Sequence, residues 1–364
     1  MDKLSVMTWN IGFGSRKEKF IQSDSKRAEE ILNLMKKFDV DAIALQEMAN
    51  REYNNGERFN LREFFIKNDD EMDKVHFEHT VSLGCHHSYP YGKLPEINKK
   101  FNIKRQENGL GICVRNVNNW YLRNLYSDEN MHPATVEVQR PIPHPLYMGG
   151  KSAPKGKEDK KEYSAGRDEE DRPVLWSRID NPDSKFKSLK IYFVSLHLPT
   201  LNGEEKGLGS GVFNKTHKDI AKNVLNLQDD EKINNYTVDD IASKLREYFL
   251  NHIISQVKRI EEFWKSEDNK NKCVFILAGD FNFYHYKDDD QKLPEQILLE
   301  KNEFKCAKLS GATQPVDEEH PKNRLIDNIW VKGVEKENIG EREVNVEKLG
   351  GISDHYPVVA QIKF

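Results

Sequence analysis

The nine residues VFILAGDFN, Val274 to Asn282, carry the reading of this chain. Val274–Ala278 is an unbroken apolar run, the pattern of a strand covered on both faces rather than one with a solvated side. It runs into Gly279 and then into a carboxylate, Asp280, and a carboxamide, Asn282. A buried strand that ends on polar groups places them at a sheet edge on rigid backbone. Being i and i+2, Asp280 and Asn282 are expected to project to the same side of that strand.

Similar runs recur along the chain: Leu4–Trp9, Ala42–Gln46, Leu110–Val114, Val174–Ile179, Leu189–Leu196, Ile326–Val331 and Pro357–Ile362. Between them lie helical patterns. Ser25–Phe38 has Ala28, Ile31, Leu32, Met35 and Phe38 at three- and four-residue spacing, and Leu245–Trp264 repeats the pattern with Phe249, Ile253, Val257 and Ile260. Strands mixed with fewer, longer helices predict a layered α/β protein, read as one domain over 1–364. Two stretches stand outside the pattern. Segment 149–172 has almost no apolar side chains and is expected to be a mobile loop. Segment 199–240, Gly-rich near its start (GEEKGLGSG), reads as an insertion that directly follows His197 and is expected to limit access to the strand end there.

Composition excludes little. Of 364 residues, 37 % are hydrophobic and 32 % charged, and the net charge of -4 neither marks nor excludes a nucleic-acid binder. Cys85, Cys113, Cys273 and Cys306 form no CxxC pair, and Cys113 and Cys273, in apolar strand-like runs, read as small hydrophobes rather than ligands or disulfides. No apolar stretch has the length of a membrane span. The first strand begins by Leu4, with no signal peptide before it, so a cytoplasmic location is expected; secretion is the alternative if a leader has been removed.

Other strand ends repeat what Val274–Asn282 shows. Asn10 follows Leu4–Met7, Glu47 follows Ala42–Leu45, and His197 follows Tyr192–Leu196. Asp327 sits in Leu325–Val331, and Ser353-Asp354-His355 precedes the last strand. Each has a plainer reading: Asn10 as a turn former, Glu47 as a solvated charge or cap, His197 as a hydrogen-bonded core histidine, and Asp280 with Asn282 as a braced turn. Asp327 in an apolar run needs a buried partner. The plain readings would have to hold at every strand end at once, and they leave the choice of carboxylates, histidines and carboxamides unexplained.

That set suits phosphate-ester hydrolysis with a hard divalent cation, which takes one or two carboxylates and keeps several waters. Glu47 and Asn10 offer such oxygens. His355 can exchange a proton if Asp327 fixes its tautomer. Asp280 and Asn282 can orient the attacking water and stabilise the pentacovalent phosphorus.

The ordered series TWN, QE, SLH, GDFN, LIDNIW and SDH resembles the endonuclease/exonuclease/phosphatase superfamily, across nearly the whole chain. Its members include pancreatic-type deoxyribonuclease, abasic-site endonucleases, neutral sphingomyelinases, inositol polyphosphate 5-phosphatases and deadenylases. The resemblance implies a four-layer α/β/β/α sandwich, two face-to-face β-sheets flanked by helices, with the site in a groove at one edge. It implies Mg²⁺ as cofactor, with Mn²⁺ as an alternative. Glu47 corresponds to the main metal ligand, with Asn10 near metal and phosphate and Asp354 a further metal-side or orienting carboxylate. His355, held by Asp327, contacts the scissile phosphate or acts as base; Asp280 orients or deprotonates the water, beside Asn282. His197 resembles the histidine of the deoxyribonuclease, sphingomyelinase and phosphatase branches, where it stabilises phosphate oxygen or protonates the leaving group. Glu107 is its candidate partner by position, and Arg324 a candidate phosphate contact.

The expected activity is a Mg²⁺-dependent phosphodiesterase, an endo- or exonuclease acting on nucleic acid, with no obligate protein partner. The alternative is a phosphomonoesterase or lipid phosphodiesterase. A binding module that kept the fold without catalysis would be expected to have lost at least one of the six motifs.

Overall fold

The computed structural model describes residues 3–12, 23–69, 78–80, 103–115, 118–123, 174–183, 186, 188–198, 222, 225, 235–266, 272–284, 291–307, 313, 325–342 and 352–364. Two sheets form the centre. The first contains β1 (Lys3–Asn10), β2 (Ala42–Tyr53), β3 (Arg58–Asn60), β4 (Glu78–Thr80), β5 (Ile103–Val114), β12 (Ile339–Arg342) and β13 (Val358–Lys363). Its order is β12-β13-β1-β2-β5-β4, with β3 paired to β2. The second contains β6 (Tyr121–Arg123), β7 (Val174–Asp180), β8 (Leu189–His197), β9 (Lys272–Asp280), β10 (Lys305–Cys306) and β11 (Asp327–Lys332), in the order β10-β11-β9-β8-β7-β6. β1 and β2 run parallel, as do β8 and β9, while β11 runs antiparallel to β9. The C-terminal ends of β8 and β9 therefore meet the N-terminal end of β11.

The apolar runs divide by side-chain parity, because successive residues of a strand face opposite ways. Leu4 and Val6 of β1, Ile191 and Phe193 of β8, Val274, Ile276 and Ala278 of β9, and Ile329 and Val331 of β11 share one cluster with Ala42, Ala44, Val358 and Ala360. This is the interface between the sheets. The alternate residues face outward. Tyr192, Val194, Leu196, Phe275, Leu277 and Trp330 pack under helix α3 (Val238–Ser266) and α4 (Pro294–Lys301), through Leu245, Phe249, Ile253 and Leu299. Met7, Trp9, Ile43, Leu45 and Val359 pack under α1 (Asp24–Lys37) and α2 (Leu61–Asn68), through Ile31, Leu32, Met35 and Phe65. Helix, sheet, sheet and helix make the four layers expected of the fold.

Three of the helices start on side-chain caps, while α4 starts on Pro294 after an uncapped Leu293. Ser23 accepts from the Lys26 N–H and Asn60 from the Glu63 N–H, while Thr237 and Asp240 bond reciprocally at the head of α3. α3 begins at Val238, within the stretch read as insertion; the rest of 199–240, apart from residues 222, 225 and 235–237, lies outside the described residues, as does 149–172. Among the described residues no helix is long and apolar enough to cross a membrane.

Gly279 is a packing requirement. It pairs with Leu196 across β8 and β9, and a Cβ there would lie 2.0 Å from the Leu196 carbonyl oxygen. The nearest atoms are Leu196 backbone, held in the β8–β9 pairing, and have little room to yield. Gly279→Ala is expected to cost about 3 kcal/mol of stability by overpacking, read as a lowered urea midpoint. Gly340→Ala, whose Cβ would meet nothing nearer than 4.0 Å, should shift it little.

Candidate active site

The inward parity that builds the inter-sheet core continues past its apolar part. On β1, Leu4 and Val6 give way to Thr8 and Asn10; on β8, Ile191 and Phe193 give way to Ser195 and His197; on β9, Ala278 gives way to Asp280. The same space that is hydrophobic in its middle becomes polar at one edge. Strand register aligns these ends: His197 is opposite Asp280, Asp280 opposite Asp327, and Asn10 opposite Gln46.

Hydrogen bonds join the layers. Asn10 Nδ2, on the first sheet, donates to Asp280 Oδ2, on the second, at 3.1 Å. Deeper in, Thr8 Oγ1 donates to Gln46 Oε1, Gln46 Nε2 donates to Ser195 Oγ, and the Ser195 hydroxyl donates to the Leu45 carbonyl. Buried polar groups that find partners across the interface lock the two sheets in one register.

Glu47 needs a local distortion to join them. By parity it would face α1, opposite to Gln46. The β2–β5 pairing slips between Leu45 and Met48, and Glu47 takes φ 53°. This bulge re-aims the side chain, and Glu47 Oε1 accepts from Asn10 Nδ2 at 3.2 Å. Glu47 is thus not at a strand end as expected: β2 continues to Tyr53.

The expectation for Asn282 is also corrected. β9 stops at Asp280; Asn282 lies beyond it with φ 53°, its N–H donating to Asp280 Oδ1 at 2.9 Å and its Nδ2 to the Leu198 carbonyl at 2.7 Å. The two are joined by an Asx-type turn rather than by strand parity, because the left-handed backbone lets the N–H fold back onto the carboxylate.

His355 arrives on the turn before β13. Its Nδ1 is 2.8 Å from Asp327 Oδ2, and its carbonyl accepts from the Trp9 indole at 2.9 Å. Ser353 ties this turn to β1: its hydroxyl donates to the Asn10 carbonyl at 2.6 Å and accepts the His355 N–H at 3.1 Å. Asp354 is half-buried beside Gly12, with Oδ1 3.2 Å from where a Cβ on that glycine would lie. Asp280 Oδ2 is the meeting point, 3.5 Å from His197 Nε2 and 4.0 Å from His355 Nδ1.

Asp280, Asp327 and His355 are 2 %, 0 % and 5 % exposed. Burial pushes the Asp280 carboxyl up, and the neighbouring Asp327 charge adds to this; His355, the Asn10 amide and the Asn282 N–H oppose it, and it stands at about 7. For His355, burial disfavours the charged ring. The charge and hydrogen bond of Asp327, with the charges of Asp280 and Asp354, outweigh burial and push it up to about 10.

Two sets of side chains have the chemistry of metal ligands. One oxygen or nitrogen from each of Asp280, Asp327 and His355 lies within 4.8 Å of the others. This trio suits a hard cation poorly, since His355 Nδ1 is committed to Asp327 and burial leaves little room for retained waters. Asn10, Glu47 and Asp354 suit it better: all three offer oxygens, and Glu47 and Asp354 are partly open to solvent. Asn10 fits because its Nδ2 hydrogens serve Glu47 and Asp280, while Oδ1, which accepts the Gly12 N–H at 3.0 Å, keeps a lone pair.

Of the remaining sequence candidates, Arg324 lies outside the described residues. Glu107 is on β5 with its backbone opposite Asn50, and its side chain lies outside them. Sequence reasoning passed over Thr313. Buried, it accepts the N–H groups of both Ile326 and Asp327 on its hydroxyl, each at 3.0 Å, and its carbonyl accepts the Tyr356 N–H. It holds both ends of the Asp327–His355 pair, and an isolated threonine in GATQP carries no periodic signal.

The chain belongs to the endonuclease/exonuclease/phosphatase family, whose model matches residues 7–355. The family comprises metal-dependent phosphodiesterases and phosphatases, hydrolases of phosphate esters. No curated protein sequence matches the chain. Among solved structures, the fold is shared with an endonuclease/exonuclease/phosphatase from Beutenbergia cavernae (TM-score 0.52, 15 % identity, covering 100 % of this chain and 72 % of that one). Others include TDP2 of D. rerio complexed with single-strand DNA product (0.45, 11 %, 100 % and 100 %) and the human Nocturnin catalytic domain with bound sulfate (0.46, 12 %, 100 % and 93 %).

Thr313→Val would leave the Ile326 and Asp327 N–H groups buried without their acceptor. A loss of about 1–3 kcal/mol is expected, measured by thermal or urea unfolding, with Thr313→Ser close to wild type.

Proposed function

We propose that this chain is a divalent-metal-dependent phosphodiesterase that cleaves nucleic acid, with Mg²⁺ as the ion. The observation that carries the reading is the convergence on Asp280 Oδ2: one carboxylate oxygen faced by Asn10 from the first sheet and by both His197 and His355. A structural carboxylate would be satisfied by one cation. One shared by two histidines and a carboxamide at a groove edge suits handling of a proton beside an anion.

Asn10, Glu47 and Asp354 would hold the ion, which when bound neutralises phosphate charge and stabilises the leaving oxygen. The chain's own groups do the rest. Asp280 Oδ2 orients the attacking water and takes its proton. Asn282 holds the Asp280 carboxylate by its N–H and tethers the turn to Leu198. His355 keeps its Nδ1 proton toward Asp327, so Nε2 is the nitrogen presented to a phosphate oxygen. His197, on the neighbouring strand, meets the substrate from the other side of Asp280 and serves the leaving oxygen. A phosphodiester needs both a group for the attacking side and one for the departing side; Asp280 and His197 supply them, with His355 on the phosphate oxygen between.

Plasmid, single-stranded DNA, RNA, sphingomyelin and an inositol polyphosphate, each with Mg²⁺ or with chelator, test the assignment. DNA or RNA should be cleaved, and chelator should abolish cleavage. Asp280→Asn and His355→Ala should each lower kcat by about 10³-fold; the unfolding midpoint should stay near wild type in Asp280→Asn and fall in His355→Ala, which leaves buried Asp327 without its partner. Glu47→Gln should raise the Mg²⁺ concentration needed for half-maximal rate. Preferential turnover of the lipid or the phosphomonoester would overturn the nucleic-acid assignment, and full activity in chelator would overturn the metal.

A further inference from the structure

Arg27 is buried, 3 % exposed, in the first turn of α1. Its guanidinium faces backbone carbonyls. Nε and Nη2 donate to the Ile352 carbonyl at 2.9 and 2.6 Å, and Nη2 also reaches the carbonyls of Ile11 and Gly12, both at 2.9 Å. Ile11 and Gly12 are the two residues after Asn10. Ile352 is the residue before Ser353-Asp354-His355. One planar side chain thus spans two turns that are some 340 residues apart in sequence and that bear groups assigned to metal and phosphate.

We infer that Arg27 is a positioning residue: it sets the spacing between the Asn10 turn and the His355 turn, and thereby the geometry of the reaction. The inference rests on the roles given above to Asn10, Asp354 and His355. Three features support it. First, α1 is anchored independently, by Ala28, Ile31, Leu32 and Met35 on the outer face of the first sheet, so Arg27 projects from a fixed base. Secondly, the turn after β1 has little slack: Gly12 has φ 55°, and a Cβ there would come within 3.2 Å of Asp354 Oδ1 and 3.6 Å of Arg27 Nη2. Thirdly, two further ties join the turns, from the Ser353 hydroxyl to the Asn10 carbonyl and from the Trp9 indole to the His355 carbonyl. Those fix one side of the junction; the guanidinium fixes the other. Lysine cannot replace it, because an ammonium is a point donor and cannot hold a planar fork against carbonyls of two segments.

The test compares wild type, Arg27→Lys and Arg27→Ala, with and without millimolar guanidinium. The probes are bis(p-nitrophenyl) phosphate turnover with Mn²⁺, and amide hydrogen exchange over 10–12 and 352–356 without metal or substrate. Both variants should exchange faster in both segments while α3 and β9 stay protected. Turnover should fall about 100-fold with KM changed little. Guanidinium, but not ammonium, should slow exchange and restore at least a tenth of the rate in Arg27→Ala. Should Arg27→Ala fail to fold, Arg27→Lys carries the comparison. Unchanged exchange in both segments, or exchange raised evenly through the protein with turnover lost only in proportion to folded fraction, would overturn the role. A wild type inert toward every phosphodiester defeats the functional reading instead, and the exchange measurement alone then decides Arg27.

Discussion

The contact between Asn10 Nδ2 and Asp280 Oδ2 is the constraint on which the site depends. It crosses from one sheet to the other, as do the Gln46–Ser195 bond beneath it and the His355–Asp327 pair beside it. Asn10 with Glu47 belongs to the first sheet, and Asp280 with Asp327 and His197 to the second. Packed sheets sit about 10 Å apart, a gap that two apolar side chains fill and that an amide and a carboxylate span end to end. A hydrogen bond to a charged group contributes about 1.5–3 kcal/mol, enough to fix register but small beside the apolar interface that brings the sheets together. The core supplies the proximity, and the polar edge uses it.

The apolar runs made the layered fold legible, because a strand buried on both faces has no polar residue to spare. Asp280, His197, Asp327 and Asn10 were legible for the same reason: each interrupts or ends such a run. What was harder to see is that they share a parity. Val274, Ile276, Ala278 and Asp280 face inward together, so the carboxylate is the last member of a core-facing row rather than an isolated strand-end charge. Glu47 lay beyond parity arguments. Its direction depends on a bulge and a positive φ, and nothing in ALQEMAN announces either. Asn282 misled for the opposite reason, since i and i+2 spacing implies a shared side only while the strand lasts.

Thr313 and Arg27 were illegible because they act through backbone. Their hydrogen bonds go to N–H and carbonyl groups of remote segments, and those groups are the same for every residue type, so no local pattern marks the partner. Arg27 reads from sequence as one more charged residue on a helix with charged neighbours. Its burial follows from where α1 docks, which is a property of the apolar stripe beside it and not of the arginine. Short elements were missed too: β3, β10 and α4 are too brief to show a period, and their placement follows from the larger elements they flank.

The arrangement carries a cost that only the fold can bear. Asp280 and Asp327 lie opposite one another on adjacent strands, a pairing of like charges that disfavours the sheet. In solvent the two would be screened and apart. Here each is nearly sealed off, and His355 between them offsets the repulsion, while Thr313 accepts the Asp327 N–H and Asn10 and the Asn282 N–H donate to the Asp280 carboxylate; Asp327 Oδ1 is left buried without a hydrogen bond among the described residues. Such a cluster would be expelled from a small or loose core. It persists because β9 and β11 are pinned along their length by Ile276, Ala278, Ile329 and Val331 on one face and by Leu277 and Trp330 on the other. The apolar strands therefore do more than hold the site in place: their depth is what keeps two carboxylates within 4.0 Å of one histidine, nearly sealed from water.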